Sequence, residues 1–221
     1  MKIDKVIFKD REEAFQRLCQ VLPIQEMKQE EWIILAISSG GVPIALNLAS
    51  ELNGKFDYLF TQKLFTKKNK ECEIGIITET QEIVIHEELM RSFSLDLESI
   101  YNEAKGIYAN NIQAYKAKYR NNLDIINLKD KNVLLVDEGL NTGLTMMACI
   151  KSVINERAKS ICVAVPVLPE VTINDIETIA DDLYYVRAPA HFVSIDFYYE
   201  NLENIELEEI DKLKENYKKG K

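Results

Sequence analysis

Short apolar runs alternate with amphipathic segments along most of the chain. The runs are rich in β-branched residues and are short enough to be buried parallel strands, which carry apolar side chains on both faces. On this basis we predict strands at residues 32–37, 56–61, 133–136, 160–167 and 183–186.

Between these runs, apolar residues recur at every third or fourth position, which is the period of a helix packed on one face. This pattern predicts helices at residues 11–22, 43–52, 97–120, 146–153, 171–179 and 202–217. Residues 73–78 and 82–86 flank Thr80 and Gln81 and predict a β-hairpin. Strands that alternate with helices indicate an α/β fold with a doubly wound, mostly parallel sheet flanked by helices. In such a sheet, ligands bind at the carboxyl ends of the strands.

Two adjacent carboxylates, Asp137 and Glu138, follow the strand at 133–136, and a glycine- and hydroxyl-rich loop continues to Thr145. Such a loop directs free N–H groups and the positive end of a helix dipole at one point, which makes an anion site. Paired carboxylates beside an anion suit hydroxyl groups or a cation. A sugar phosphate with a metal ion would satisfy both halves. The alternative is an ordinary capped turn with two solvated acids.

A second loop of the same kind follows the strand at 32–37. It consists of Ser38, Ser39, Gly40 and Gly41, and Pro43 suits the start of the next helix. This loop is a second candidate anion site, with a plain tight turn as the alternative.

Composition narrows the class of partner. The chain has 221 residues, 29% of them charged and 47% hydrophobic, which fits one soluble α/β domain over residues 1–221. A net charge of -9 argues against a nucleic acid or an anionic membrane surface. The cysteines show no C-x-x-C spacing and the N-terminus has no apolar signal core, so we expect reduced thiols and a cytoplasmic location.

Residues 133–145 resemble the phosphoribosyl pyrophosphate (PRPP) signature of the type I phosphoribosyltransferases. The resemblance extends to residues 38–43, Lys63, residues 73–79 and residues 163–167, and so covers roughly residues 10–200. The chain is most similar to a loosely characterised bacterial branch of that family, whose acceptor is generally unassigned.

The resemblance implies a type I phosphoribosyltransferase fold with a small hood or hairpin region. It also implies Mg²⁺-dependent transfer of ribose 5-phosphate from PRPP to a small-molecule acceptor, such as a nucleobase or another nitrogenous compound, with release of pyrophosphate. A homodimer is common among similar proteins. The implied catalytic residues are Asp137, Glu138 and Asn141. Asp137 and Glu138 would bind the ribose hydroxyls or Mg²⁺. If they do not bind the ion, the substrate and water would hold it. The 5-phosphate would lie on Gly139, Asn141, Thr142, Gly143, Leu144 and Thr145, and the pyrophosphate on Ser38, Ser39, Gly40, Gly41 and Lys63.

The acceptor is expected near residues 187–199, which begin a hood-like segment that runs to residue 221 and ends in an acidic helix. A planar acceptor could stack on Phe192 or Tyr198 while Arg187 or His191 binds its polar edge. The alternative is a loop that only covers the core.

Departures from the family pattern leave a second function open. Ser39 occupies a position that is often basic in relatives, and Asn141 replaces an aspartate that assists proton transfer in purine-salvage members. The alternative function is therefore a non-catalytic sensor of PRPP or a nucleotide. We also predict a cis or strained peptide between Ser38 and Ser39, and a basic loop at residues 67–70.

Overall fold

Parallel strands formed by the predicted apolar runs make up the centre of the molecule. The computed structural model describes residues 8–66 and 72–219, without the side chains of residues 211 and 216–219. The strands of the main sheet are β1 (Trp32–Ala36), β2 (Lys55–Tyr58), β6 (Asn132–Val136), β7 (Ser160–Val167) and β8 (Asp182–Arg187), and those of a second sheet are β3 (Thr61–Phe65), β4 (Glu73–Thr78) and β5 (Ile83–Ile85).

The main sheet has the order β2-β1-β6-β7-β8, and every neighbouring pair is parallel. Ala36 at the end of β1 lies opposite Val136 at the end of β6. The loops that follow these two strands therefore meet at one edge of the sheet. This arrangement confirms the predicted α/β fold class.

Helices cover both faces of the main sheet because alternate strand residues point in opposite directions. On one face, Ile34 and Leu134 pack with α1 (Arg11–Val21) and α3 (Val42–Glu51). On the other face, Leu35 and Leu135 pack with α7 (Leu144–Asn155) and α8 (Ile173–Glu177). The remaining helices are α2 (Ile24–Met27), α4 (Glu87–Ser92), α5 (Leu97–Ile107), α6 (Gln113–Arg120) and α9 (Ile210–Lys219).

The second sheet is antiparallel, in the order β3-β4-β5, and contains the predicted hairpin. It packs on α7 through a cluster of Ile76, Val84, Leu144 and Ala148. The prediction of one strand over residues 56–61 is wrong, because the chain leaves the main sheet after Tyr58 and enters β3 at Thr61. Lys63 consequently lies inside β3.

A five-residue π-helical turn, Tyr108–Ile112, interrupts the helix predicted over residues 97–120. The Tyr108 hydroxyl donates to the carbonyl oxygen of Glu79 at 3.2 Å, and the Asn111 amide donates to the side-chain oxygen of Gln62 at 3.1 Å. The turn thus connects this helix to the second sheet.

A buried ion pair joins the end of α6 to the loop after β4. The guanidinium of Arg120 donates to both carboxylate oxygens of Glu79, at 2.8 and 2.9 Å, and to the carbonyl oxygen of Tyr58 at 2.6 Å. The backbone N–H of Phe60 donates to the same carboxylate at 3.0 Å. The Arg120 cluster, as we call these residues, fixes the segment in which the chain passes from one sheet to the other.

The C-terminal segment packs against the body of the protein. Phe8 pairs with Tyr199 in an isolated bridge, and α9 contacts α3 through the buried Ile210. Cys19, Cys72, Cys149 and Cys162 are free thiols, as predicted. Within residues 8–66 and 72–219, no helix combines the length and the apolar composition that crossing a bilayer requires.

Candidate functional site

The carboxylates of Asp137 and Glu138 converge on one serine hydroxyl at the edge where β1 and β6 end. Ser38 Oγ hydrogen-bonds to Asp137 Oδ1 and lies 2.8 Å from Glu138 Oε2. The same hydroxyl accepts the N–H of Gly41 at 3.0 Å. Both loops singled out in the sequence therefore contribute to a single constellation.

Asp137 is 7% exposed, and its surroundings favour the neutral acid. Burial, followed by the repulsion of the neighbouring Glu138 carboxylate, raises the pKa of Asp137 well above its ordinary value. A serine hydroxyl carries one proton and cannot donate to two carboxylates at once. A protonated Asp137 that donates to Ser38, which in turn donates to Glu138, satisfies all three groups.

Gly40 and Gly41 bring the first loop against the two acids. A β-carbon on Gly41 would lie 2.8 Å from the Asp137 α-carbon, and one on Gly40 would overlap the Glu138 carboxylate. The backbone of the first loop can thus approach β6 only where side chains are absent.

We expect Gly41→Ala to lower the free energy of unfolding by about 1–3 kcal/mol, because the added methyl group meets backbone atoms that cannot rotate away. Gly40→Ala is expected to cost less, since the Glu138 carboxylate can turn aside. Gly106→Ala in α5, where a β-carbon meets nothing within 4 Å, is the matched control and should be stabilising. Urea denaturation of the three variants would test this order, and equal losses for Gly41→Ala and Gly106→Ala would contradict it.

The second loop presents free backbone donors at the N-terminus of α7. Gly143, at φ 76°, turns the chain into the helix, and the only acceptor for the N–H of Leu144 among the described residues is the Thr142 hydroxyl, at 3.4 Å. The N–H groups of residues 141–143, 145 and 146 donate to no acceptor in the described part of the chain. Together with the helix dipole, these donors would favour an anion at this point.

A cavity of about 540 Å³ contains the carboxylates and this loop. Its volume lies within the range typical of small-molecule sites. The cavity is lined by these predicted site residues: Ser38, Ser39, Lys63, Asp137, Glu138, Gly139, Asn141, Thr142, Gly143 and Thr145.

Several lining residues were not predicted from the sequence. Tyr58 ends β2, and Thr61, Gln62 and Phe65 come from β3. Glu73 of β4 also lines the cavity and pairs with Lys63 at 2.8 Å. The position of Tyr58 at the carboxyl end of a parallel strand was a usable signal. Apart from Lys63, which the resemblance placed at the pyrophosphate, nothing in the sequence indicates that β3 turns towards the cavity.

Other predicted residues lie away from the cavity. Gly40 and Gly41 lie behind the carboxylates, and the Leu144 side chain is buried against the second sheet. Among the described residues of 187–199, only Ile195 lines the cavity.

None of the four residues proposed for acceptor recognition, Arg187, His191, Phe192 and Tyr198, reaches the cavity wall. Tyr198 is 3% exposed, and its ring packs 5.3 Å from those of Phe192 and Phe197. Apolar packing of these rings on one another and on the core accounts for their placement, so stacking of an acceptor on Tyr198 has no support in this structure.

The Ser38–Ser39 peptide is trans, and neither residue has a positive φ, so the predicted cis or strained peptide is not observed. The local hydrogen bonds from Gly41 to Ser38 and from Val42 to Ser39 close the loop without it. The predicted basic loop at residues 67–70 lies outside the described residues.

The carboxylate oxygens of Asp137 and Glu138 fit a hard divalent cation that is held mainly by the substrate and by water. Neither Asp137 nor Glu138 forms an ion pair with a described residue, and the described residues contain no cluster of three or more metal-ligating side chains. Mg²⁺ is typically bound by one or two carboxylates, substrate phosphates and water. Asp137 and Glu138 could supply the one or two carboxylates that such a site needs from the protein.

Comparison with known proteins gives a matching family model and several relatives. Residues 12–188 match the family model described as phosphoribosyl transferase domain. Two Mycobacterium tuberculosis proteins, from strains CDC 1551 and H37Rv, carry a provisional phosphoribosyl transferase name. Each is 27% identical over 196 residues, which is 88% of this chain and 43% of theirs, so the chain spans less than half of their length.

The crystal structure of TT1426 from Thermus thermophilus aligns with a TM-score of 0.75 at 23% identity, covering 96% of this chain and 99% of that one. This similarity extends over nearly the whole of both chains and confirms the fold.

Proposed function

Because the chain belongs to the phosphoribosyl transferase family, we propose that it transfers ribose 5-phosphate from PRPP to a nitrogenous small molecule in a Mg²⁺-dependent reaction. In this reaction the bond from the anomeric carbon to pyrophosphate breaks, and pyrophosphate leaves with the electron pair. The nitrogen lone pair of the acceptor forms the new bond, and the proton of that nitrogen passes to water.

One observation carries the proposal. Paired carboxylates and a loop of free N–H groups line the same cavity. PRPP carries ribose hydroxyls beside a 5-phosphate, and this arrangement offers acceptors to the hydroxyls and donors to the phosphate.

We assign the parts of PRPP to the chain accordingly. The loop of Asn141 to Thr145 would hold the 5-phosphate through its backbone donors and the Thr142 and Thr145 hydroxyls. Asp137 and Glu138 would bind the ribose hydroxyls. Ser38 and Ser39 would face the pyrophosphate, with Lys63 above them once it releases Glu73.

The charge of the lining supports Mg²⁺ dependence. Glu138 and Glu73 line the cavity, and Asp137 adds a third carboxylate when it ionises. Lys63, which is paired with Glu73, is the only cationic side chain among the described lining residues. A polyanionic substrate would be repelled by this surface unless a divalent cation accompanies it. When bound, Mg²⁺ would neutralise the departing pyrophosphate.

The same lining limits proton transfer. Asn141 lines the cavity and has no basic oxygen that could remove a proton, so the acceptor must react without a general base at this position. The neutral Asn141 and Ser39 also favour the second candidate, a sensor that binds PRPP or a nucleotide without turnover. The homodimer and the cytoplasmic location remain predictions.

The decisive measurement is calorimetric titration of the full chain with PRPP, with and without Mg²⁺. Ribose 5-phosphate and pyrophosphate should be titrated separately. We expect PRPP to bind with micromolar affinity in the presence of Mg²⁺ and at least about tenfold more weakly without it, because the anion then faces the acidic lining alone. Thr145→Val, which is isosteric, should weaken binding of ribose 5-phosphate but not of pyrophosphate.

Absence of PRPP binding to the folded, Mg²⁺-saturated protein would overturn the proposal. Binding of PRPP without pyrophosphate release across a panel of amine and nucleobase acceptors would favour the sensor. Tight binding of nucleoside monophosphates in place of PRPP would favour a nucleotide sensor.

A further inference from the structure

A second, smaller cavity lies between the second sheet and the α4–α5 region. Its volume is about 300 Å³, and its walls include Phe65, Ile74, Phe93, Leu95 and Ile100. Ile74 and Ile100 are 2% and 3% exposed, so the floor is part of the hydrophobic core. A space of this size and lining suits the apolar part of a small organic molecule.

This cavity adjoins the proposed PRPP site. Phe65 lines both cavities, and Lys63 and Glu73 of the first cavity lie on the same two strands. A molecule in the second cavity would therefore lie against an aromatic residue that also lines the first cavity. Such a molecule could extend towards the PRPP site past Phe65.

The charge of the second cavity selects the chemistry of its occupant. Glu103 of α5 is the only charged side chain among the described lining residues, and it forms no hydrogen bond or ion pair with a described residue. A carboxylate at the wall of an apolar cavity attracts an ammonium or N–H donor, because its charge favours a cation. The same charge would repel an anion.

We propose that this cavity binds the non-reacting end of the acceptor, and that this end is an apolar amine or N–H heterocycle whose donor contacts Glu103. That this ligand is the acceptor rests on the function proposed above, whereas the cavity and its preference for a cation over an anion do not. The assignment replaces the predicted acceptor segment at residues 187–199, which reaches the PRPP cavity only through Ile195.

The test uses benzylamine as the probe, because it joins one aromatic ring to one ammonium group. Benzoate, with the same ring and the opposite charge, is the comparison ligand. We expect ligand-observed NMR to detect millimolar benzylamine binding and at least fivefold weaker benzoate binding. Saturating PRPP and Mg²⁺ should leave benzylamine bound, since the two ligands occupy different cavities.

Matched variants locate the probe. Glu103→Gln is expected to weaken benzylamine binding about fivefold. Glu98→Gln, on the exposed side of the same helix, should leave it unchanged. Ser99→Leu adds volume at the cavity wall and should weaken benzylamine and benzyl alcohol alike. Far-UV circular dichroism of each variant establishes that the fold is retained.

Three results would overturn the inference: equal binding of benzylamine and benzoate, equal effects of the Glu103 and Glu98 substitutions, or displacement of benzylamine by PRPP. None of these would affect the proposed transferase, whose own test is PRPP binding to the same samples. Conversely, selective benzylamine binding without PRPP binding would overturn the transferase and retain the cavity as an amine site.

Discussion

Asp137→Asn is expected to abolish Mg²⁺-dependent PRPP binding and, in the same protein, to raise the free energy of unfolding. The substitution removes a carboxylate ligand for a hydroxyl or a cation, so we expect PRPP affinity to fall roughly a hundredfold or more. Asparagine keeps the size of the side chain but cannot ionise when a cation binds, so the loss reports the carboxylate and not the shape of the side chain.

The stabilisation follows from the raised pKa of Asp137. An unfolded aspartate titrates near about pH 4, and below that value the carboxyl is protonated in both states. As the pH rises further, the unfolded state releases its proton first, and the free energy of unfolding falls until the folded carboxyl has also ionised. Asparagine cannot ionise and avoids this loss. The gain should be near zero at pH 4 and should grow as the pH rises towards 8.

The measurements are urea denaturation at several pH values and calorimetry with PRPP and Mg²⁺. Asp175→Asn, on the exposed surface of α8, is the matched control and should change neither quantity. The explanation fails if Asp137→Asn binds PRPP within threefold of the wild type. It fails equally if its stability relative to the wild type does not increase with pH.

Arg120→Met is expected to lower the free energy of unfolding by about 3–5 kcal/mol. The side chains of Arg120 and Glu79 are 12% and 2% exposed, and Asp57 lies 3.8 Å from the same guanidinium. Removing the arginine leaves two sequestered carboxylates without a cation, and the carbonyl oxygen of Tyr58 loses its donor. Methionine retains most of the apolar stem, so lost packing contributes little.

Arg91→Met is the control for this prediction. Arg91 and Glu87 form a pair with the same chemistry, 2.7 Å apart, but each side chain is 71% exposed. Because exposed pairs contribute little, this variant should lose no more than about 0.5 kcal/mol. Similar losses of unfolding free energy for the two variants in chemical denaturation would show that burial does not determine how much the Arg120 pair contributes to stability.

A compensating variant separates unpaired charge from general disruption. Glu79→Leu combined with Arg120→Met removes both members, and we expect it to recover part of the loss. A double variant less stable than Arg120→Met alone would indicate that the cluster acts through its backbone hydrogen bonds.

The main sheet and its helices could be predicted from the sequence because buried strands and helix faces produce local patterns of apolar residues. β1, β6 and β7 are nearly continuous apolar runs, and their boundaries differ from the prediction by at most one residue. The two loops that follow β1 and β6 were also found, since glycines, hydroxyls and adjacent acids mark them directly.

The errors occur where distant residues determine the local structure. The chain leaves the main sheet after Tyr58 because Phe60 and Tyr58 are hydrogen-bonded by Glu79 and Arg120, and Arg120 is 62 residues from Tyr58 in sequence. The π-helical turn is similarly set by contacts of Tyr108 and Asn111 with the second sheet. Aromatic residues at 192 and 198 suggested a stacking surface, but no pattern within the segment reveals that they pack on each other.

The hydrogen bond between Ser38 and Asp137 joins residues 99 positions apart. During synthesis, the loop at Ser38 can therefore form its final hydrogen bonds only after β6 and the following Asp137 have been made. No early folding intermediate that lacks β6 can hold the ligand. A ligand bound there stabilises only the completed sheet, so saturating ligand should slow global unfolding and proteolysis of the whole chain rather than protect one segment.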